Sequence, residues 1–185
     1  MILPIIRYGD PVLRAKGRRI ETVDDRIREL AANMIETMHE ANGVGLAAQQ
    51  VGEALQLTVI DVAGAEDQAS TMMFNGAEAD PKSSMPLILL NPELTLGGET
   101  AVALEGCLSF PEITGDIRRS IAVTLRAESL EGEPLEIEAS GLLARALQHE
   151  VDHLNGVLFV DRMSAATKVA LRSRLKRMQK ETAGR

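Results

Sequence analysis

The sequence contains few aromatic residues and a single cysteine. Aromatic side chains make up 2% of its 185 residues, and tryptophan is absent. Hydrophobic residues nevertheless reach 45%, so the expected core is aliphatic and large enough for one domain. Because Cys107 is the only cysteine, an internal disulfide is excluded, and a single thiol suits a reducing compartment.

The sequence also lacks a long apolar segment and an excess of positive charge. The apolar run at residues 85–90 is far too short to span a bilayer. Residues 1–8 have neither a basic leader nor a signal-peptide cleavage pattern. The net charge of −7 argues against DNA, or nucleic acid in general, as the main partner. We therefore expect a cytoplasmic protein with no membrane insertion.

The main chemical motif is the pentad that begins at His149 and ends at His153. Residues 140–154 have a helical pattern that Ser140 can cap. Histidines four residues apart lie on one face of a helix, so both imidazoles can bind one metal ion. Glu150 beside the first ligand has the position of a general base acting on a water molecule. The alternative is an exposed histidine pair on a helix surface.

Two further segments have compositions that suit a binding site. Residues 43–52 combine glycines and alanines with two adjacent glutamines, and glycines let a backbone approach a ligand closely. The alternative for this segment is a plain connection between a helix and a strand. Cys107 lies between predicted strands. A lone cysteine is usually a small buried hydrophobic residue, but here a thiolate would complete a Cys-His-His ligand set.

The hydrophobic pattern predicts an α+β fold in which antiparallel or mixed β-sheets pack around the pentad helix. Turn-length links between short strands favour such sheets over repeated βαβ units. Residues 63–84 have the composition of a long surface loop. Asn91-Pro92 is expected to stop the second strand. The predicted strands are residues 55–62, 87–90, 121–125, 135–139 and 157–160.

Two more helices are expected, one before and one after the pentad. A cap box at Thr22 and Asp25 predicts the start of the first, and His39 ends it in a surface or capping role. Residues 164–180 predict a basic C-terminal helix that follows a core of about residues 1–162 within one domain. Its basic face is either simply solvated or contacts an anionic surface such as RNA. The basic residues of this helix are Lys168, Arg172, Arg174, Lys176, Arg177 and Lys180, and residues 164–180 include no acidic residue.

Three motifs in this order resemble those of bacterial-type peptide deformylases. They are Gly43-x-Gly45-x-Ala47-Ala48-x-Gln50, Glu105-Gly106-Cys107-Leu108-Ser109 and His149-Glu150-x-x-His153. With Leu154-Asn155-Gly156 and the C-terminal helix, the resemblance covers essentially the whole chain. It implies removal of the formyl group from the N-terminal formyl-methionine of new polypeptides, with release of formate.

The resemblance also implies a role for each motif residue. Cys107, His149 and His153 would be the metal ligands, and Glu150 would take a proton from water and deliver it to the departing amine. The Gln50 amide and the Leu108 N–H would stabilise the oxyanion. The residues expected to contact the substrate are Gly45, for its backbone, and Val44, Glu105, Gly106 and Leu142, for its methionine side chain.

Metal identity and partners follow less directly from the sequence. General ligand rules favour zinc for a Cys-His-His site. The resemblance implies ferrous iron (Fe2+) instead, with zinc, nickel or cobalt in the protein as purified. It also suggests that the basic C-terminal helix contacts the ribosome near the exit of the nascent chain.

Two other functions compatible with the pentad are a zinc endopeptidase and a metal-stabilised peptide-binding module without turnover. Metallopeptidases that share the pentad take a downstream Glu or His as the third ligand. No histidine follows His153, and the H-E-x-x-H-x-x-G-x-x-H pattern is absent. Internal peptide cleavage would indicate the endopeptidase, whereas the absence of any turnover would indicate the binding module.

Overall fold

A computed structural model describes residues 1–65 and 69–184 of the chain. Its main feature is a seven-stranded antiparallel sheet with the strand order β1-β2-β5-β8-β9-β3-β4. These strands are β1 (Gly45–Ala47), β2 (Leu57–Ile60), β3 (Ser70–Phe74), β4 (Ala77–Ala79), β5 (Leu87–Leu96), β8 (Ala122–Glu128) and β9 (Pro134–Ser140). A separate hairpin pairs β6 (Thr100–Gly106) with β7 (Thr114–Ser120).

Four α-helices complete the described part of the chain, so the predicted α+β class is confirmed. They are α1 (Asp25–Glu40), α2 (Gly141–Leu154), the single turn α3 (Phe159–Arg162) and α4 (Ala165–Ala183). Short 3₁₀ helices cover Pro11–Arg14 and Ala48–Val51.

The start of α1 differs slightly from the predicted cap box. Asp24 is its N-cap, and the carboxylate of Asp24 accepts a hydrogen bond of 2.9 Å from the Ile27 N–H. At the other end of the helix, His39 is exposed, as predicted. Its Nε2 lies 2.8 Å from Asp61 Oδ2.

Helix α2 packs on one face of the large sheet and forms the centre of the molecule. Leu143 and Leu147 of the helix are fully buried in one cluster with Leu125 and Ile137 of the sheet. A second cluster joins α1 to β1 and β2, and a third joins the β6–β7 hairpin to α3. Among the buried core residues, Phe110 and Phe159 are the aromatic ones, in agreement with the expected aliphatic core.

The structure contradicts the prediction of a long surface loop at residues 63–84. Strands β3 and β4 lie within this segment, and β3 also pairs with β9. Only one residue of β3, Met72, is buried. With one buried position, β3 lacks the alternation of buried and exposed residues by which a half-buried strand is predicted from the sequence. Residues 66–68 of the predicted loop lie outside the described residues.

Two other predictions of strands were wrong: one strand continues past its predicted end, and one predicted strand does not form. Strand β5 continues through Asn91-Pro92 by means of a register shift, with Asn91 in the left-handed region at φ 52°. The Asn91 side chain bonds the backbone N–H and C=O of Ile20 at 2.8 and 2.9 Å. A proline N, which cannot donate, is tolerated at such a bulge. Residues 157–160 do not form a strand, because the Asp161 carboxylate accepts from the Leu158 N–H and starts α3.

The C-terminal helix α4 confirms the expected helix at residues 164–180 and continues to Ala183. None of its residues is fully buried, and it contacts the core along a stripe of Leu171, Leu175 and Met178. Thr182 Oγ1 donates to the Tyr8 carbonyl at 2.8 Å near the end of the helix. Within the ranges described, no helix has the length and apolar character needed to cross a membrane.

The aliphatic core predicts a measurable difference between two leucines on neighbouring strands. Leu125 is 0% exposed beneath α2, whereas Leu96 is 58% exposed. We expect Leu125→Ala to lower the free energy of unfolding by about 2–5 kcal/mol, because it leaves a cavity. Leu96→Ala should change it by less than about 0.5 kcal/mol. Urea unfolding measures both values, and equal losses would contradict this description of the core.

Candidate metal centre and active site

Three side chains converge where the β6–β7 hairpin meets α2. Cys107 follows β6, and His149 and His153 lie one turn apart on α2. One ligand atom from each lies within 4.8 Å of the others. Cys107 Sγ is 3.3 Å from His153 Nε2. The structure therefore brings together the three residues that the sequence suggested as a ligand set.

The chemistry of these side chains fits a divalent metal ion. A thiolate and two imidazoles are ligands that transition metals prefer. Nδ1 of His149 faces Glu105 and Nε2 of His153 faces the thiol, so each ring has a defined orientation. His153 is 1% exposed, and its Nδ1 has no hydrogen-bond partner within the protein. We conclude that this group can bind a metal.

The Glu105 carboxylate hydrogen-bonds the ring of the first histidine, His149. Its Oε2 lies 3.1 Å from His149 Nδ1, and its two oxygens accept from Arg119 Nε and Nη2 at 3.0 Å each. Burial raises the pKa of Glu105, but hydrogen bonds from His149 and Arg119 and their charges outweigh burial and lower it to about 2. An ionised Glu105 holds the His149 proton on Nδ1, which leaves Nε2 free as a ligand atom.

The ion-pair network extends from Glu105 to Asp152, the residue before the second histidine. Arg119 Nη1 donates to Asp152 Oδ2 at 2.5 Å, and Arg162 binds the same carboxylate. Arg145 Nη1 donates to Glu105 Oε1 at 2.6 Å. Sequence reasoning missed Arg119, Asp152, Arg145 and Arg162. The available signal was weak: Asp152 lies inside the pentad, but its partners come from other elements.

Glu150 is buried beside β1. It is 4% exposed, and its Oε2 has no hydrogen-bond partner in the protein. Burial raises its pKa to about 7, although the charges of His149 and Arg119 oppose the increase. Gly45 leaves the space for this carboxylate, because a Cβ at Gly45 would lie 2.4 Å from Glu150 Oε1.

Burial and neighbouring groups shift the pKa values of His149 and His153 in opposite directions. Burial lowers the pKa of His149, but the hydrogen bonds to Cys107 and Glu105 outweigh burial and raise it well above the usual value. Burial lowers the pKa of His153, and the charge of His149 lowers it further. The hydrogen bonds of His149 to Cys107 and Glu105 therefore favour positive charge on this imidazole, whereas the surroundings of His153 favour its neutral form.

Gln50 is held in place next to the sulfur. Its Oε1 accepts from the Ala47 N–H at 2.9 Å, which orients the amide. Its Nε2 then donates to Ser109 Oγ at 3.2 Å and lies 3.5 Å from Cys107 Sγ. The amide donor therefore faces the same region as the ligand group.

A cavity of about 500 Å³ opens onto this group. One wall is formed by residues 42–45, which lead into β1, an edge strand of the large sheet. The other walls are residues 103–114 and the first turns of α2. His153 lies outside the lining. The predicted site residues that line the cavity are Val44, Gly45, Gln50, Glu105, Gly106, Cys107, Leu108, Leu142, His149 and Glu150.

We expect Glu105→Gln to weaken metal binding by about 10- to 100-fold, because the uncharged amide no longer fixes the His149 tautomer. Chelator competition followed by metal analysis measures this without reference to activity. Asp116→Asn is the matched control, since Asp116 is exposed on the same hairpin. Equal metal retention by Glu105→Gln and the unmodified protein would show that Glu105 does not support the site.

Comparisons with known proteins agree with this geometry. The family model for polypeptide deformylase matches residues 2–169. A peptide deformylase from Opitutus terrae is 48% identical over 184 residues, which cover 98% of this chain and 95% of the relative. One from Methylacidiphilum infernorum is 45% identical over 180 residues, covering 97% of this chain and 94% of the relative.

Solved structures show the same similarity. The crystal structure of peptide deformylase from Thermus thermophilus aligns with a TM-score of 0.83 and 35% identity, covering 98% of this chain and 99% of that one. The Thermotoga maritima enzyme aligns with a TM-score of 0.76 and 39% identity, covering 89% and 99%. These matches do not support the endopeptidase alternative. The chain therefore belongs to the peptide deformylase family.

Proposed function

We propose that this peptide deformylase removes the formyl group of N-terminal formyl-methionine through a metal ion held by Cys107, His149 and His153. The formyl amide of nascent polypeptides is the bond that the family hydrolyses, and formate is the second product. The observation that carries the assignment of residues is the convergence of three ligand atoms within 4.8 Å at the cavity.

We propose ferrous iron as the physiological ion, on the basis of the family resemblance. Zinc, nickel and cobalt are compatible with the same donors. A divalent ion supplies a Lewis acid, which increases the acidity of water and polarises a carbonyl oxygen. An iron–thiolate site is also sensitive to oxidation.

Glu150 is the proposed acid–base residue. Glu150 lines the cavity next to His149 in the chain, and its carboxylate is buried with one oxygen that has no protein partner. From this position it would take the proton of the attacking water and deliver it to the departing amine. Gly45 is required beside it, because any larger residue would occupy the space of the carboxylate.

Gln50 and Leu108 are the proposed donors to the oxyanion. The Gln50 amide is already oriented by Ala47 and Ser109, so little reorganisation is needed when charge develops. Leu108 lines the cavity next to Cys107, and its backbone N–H is the second donor by family resemblance. A donor of this type contributes roughly 2.7–4 kcal/mol to transition-state stabilisation.

The substrate backbone would extend along the outer side of β1. The Val44 carbonyl accepts from the Asp61 N–H at 2.9 Å, so the backbone groups of the next residue, Gly45, face the opposite side. An extended peptide can add to such an edge as a further strand. Gly45 would then form the backbone hydrogen bonds.

The methionine side chain would lie against Val44, Gly106 and Leu142 in the same cavity. Glu105 would contribute backbone and stem atoms, because its carboxylate is bound to Arg119, Arg145 and His149. Discrimination between formyl and acetyl groups would rest on size, since acetyl carries a methyl group where formyl carries hydrogen.

We expect Glu150→Gln to retain its metal and to lose at least about 100-fold in the rate of formate release from formyl-Met-Ala. The enzyme is prepared anaerobically, and its iron and zinc contents are determined on the same sample. Glu112→Gln is the control, because Glu112 lies at the cavity but its side chain is 89% exposed. An unchanged rate in Glu150→Gln would contradict the assigned role, and the absence of formate from the unmodified enzyme would contradict the function.

We also propose that the protein acts in the cytoplasm, and that the basic face of α4 contacts the ribosome. Arg172, Lys176 and Lys180 recur every four residues on this helix and are exposed. Such a row of charges suits the phosphates of ribosomal RNA.

Changing Arg172, Lys176 and Lys180 together to glutamine should reduce co-sedimentation with ribosomes by at least about tenfold at low salt. The control changes Lys16, Arg18 and Lys82, which are exposed basic residues outside α4. Binding of the unmodified protein should also weaken as salt increases. Salt-insensitive co-sedimentation, or equal binding by both variants, would contradict a contact through α4.

A further inference from the structure

The first turn of α2 is capped by a distant part of the chain. The first N–H groups of a helix have no partner within the helix. Here the Ser70 hydroxyl accepts from the Leu143 N–H at 3.0 Å, and the Ala69 carbonyl accepts from the Leu142 N–H at 3.4 Å. Ser140, the predicted cap, instead forms a hydroxyl–hydroxyl bond of 2.6 Å with Thr71.

Gly141 allows the start of β3 to approach the start of α2 closely. Its φ is +67°, and a Cβ at this position would lie 2.0 Å from the Ala69 carbonyl oxygen. Any side chain at Gly141 would therefore separate the start of β3 from the helix. Strand β3 is in turn paired with β9, so Ser70 is part of the sheet and is not a free loop residue.

The capped turn also forms part of the cavity wall. Leu142 lines the cavity and is only partly buried, whereas Leu143 on the same turn is fully buried in the core. His149 lies about two turns further along the helix. A change in the first turn would therefore move Leu142 much more than the ligand group.

We propose that Ser70 is a positioning residue that sets the shape of the methionine pocket by capping the turn that carries Leu142. This inference rests on the proposed function of the cavity. It assigns a role to strand β3, whose residues do not line the cavity themselves. The hydroxyl acts on the substrate only through α2, so its effect should depend on the substrate side chain.

The test compares Ser70→Ala with Thr71→Val and Ser70→Thr. Thr71→Val removes a neighbouring hydroxyl that bonds Ser140 and caps no N–H group, whereas Ser70→Thr keeps the capping oxygen. For Ser70→Ala we expect KM for a formyl-methionyl peptide to rise about three- to tenfold, with kcat within about twofold. The value of kcat/KM for a formyl-alanyl peptide, whose short side chain does not reach Leu142, should change by less than about twofold. Thr71→Val and Ser70→Thr should resemble the unmodified enzyme.

Amide hydrogen exchange tests the cap directly and does not depend on the substrate kinetics. Exchange at Leu142 and Leu143 should be faster in Ser70→Ala, with exchange around His149 unchanged. An equal loss for both peptides, or a loss in kcat alone, would overturn the positioning role. If the unmodified enzyme released no formate, the proposed function would fail. Unchanged exchange at Leu142 and Leu143 would separately refute the cap.

Discussion

One buried guanidinium joins the two segments that carry the candidate metal ligands. Arg119 binds Glu105, which lies two residues before Cys107, and Asp152, which directly precedes His153. A buried ion pair does little for net stability, but breaking it leaves an uncompensated charge at a cost of about 3–5 kcal/mol. Because Arg119 must keep both carboxylate partners, the β6–β7 hairpin can occupy few alternative positions relative to α2. The convergence of sulfur and imidazoles depends on this constraint.

Helix α2 is fixed by different contacts along its length. Ser70 caps its first turn, and the buried Gln148 amide bonds both the N–H and the C=O of Ser120 at the end of β7. Arg119 and Arg162 hold Asp152 near the C-terminal end. One rigid helix thus carries two candidate ligands, the proposed acid–base residue and part of the pocket wall. Small displacements of the helix would affect metal binding and substrate selectivity differently, because the two functions lie on different turns.

The family match and the structure differ in how much of the chain they cover. The family model ends at residue 169, whereas α4 continues to Ala183. Most of α4 therefore lies beyond the region that the family model matches, and it contacts the core mainly through three partly buried side chains. By contrast, Cys107, His149 and His153 all lie within the matched region.

Local patterns in the sequence were sufficient to predict α1, the pentad helix, the basic C-terminal helix, strands β2, β8 and β9, and the candidate ligands. Each of these depends on the spacing of residues close together in the chain, or on a motif. Tertiary structure alone decided the other features. Strand β3 is stabilised by pairing with β9, Asn91 allows β5 to continue by bonding Ile20, and Ser70 replaces Ser140 as the cap. The partners of Arg119 come from a hairpin and a helix. Such contacts depend on which distant segments meet in the fold, and no local spacing encodes that information.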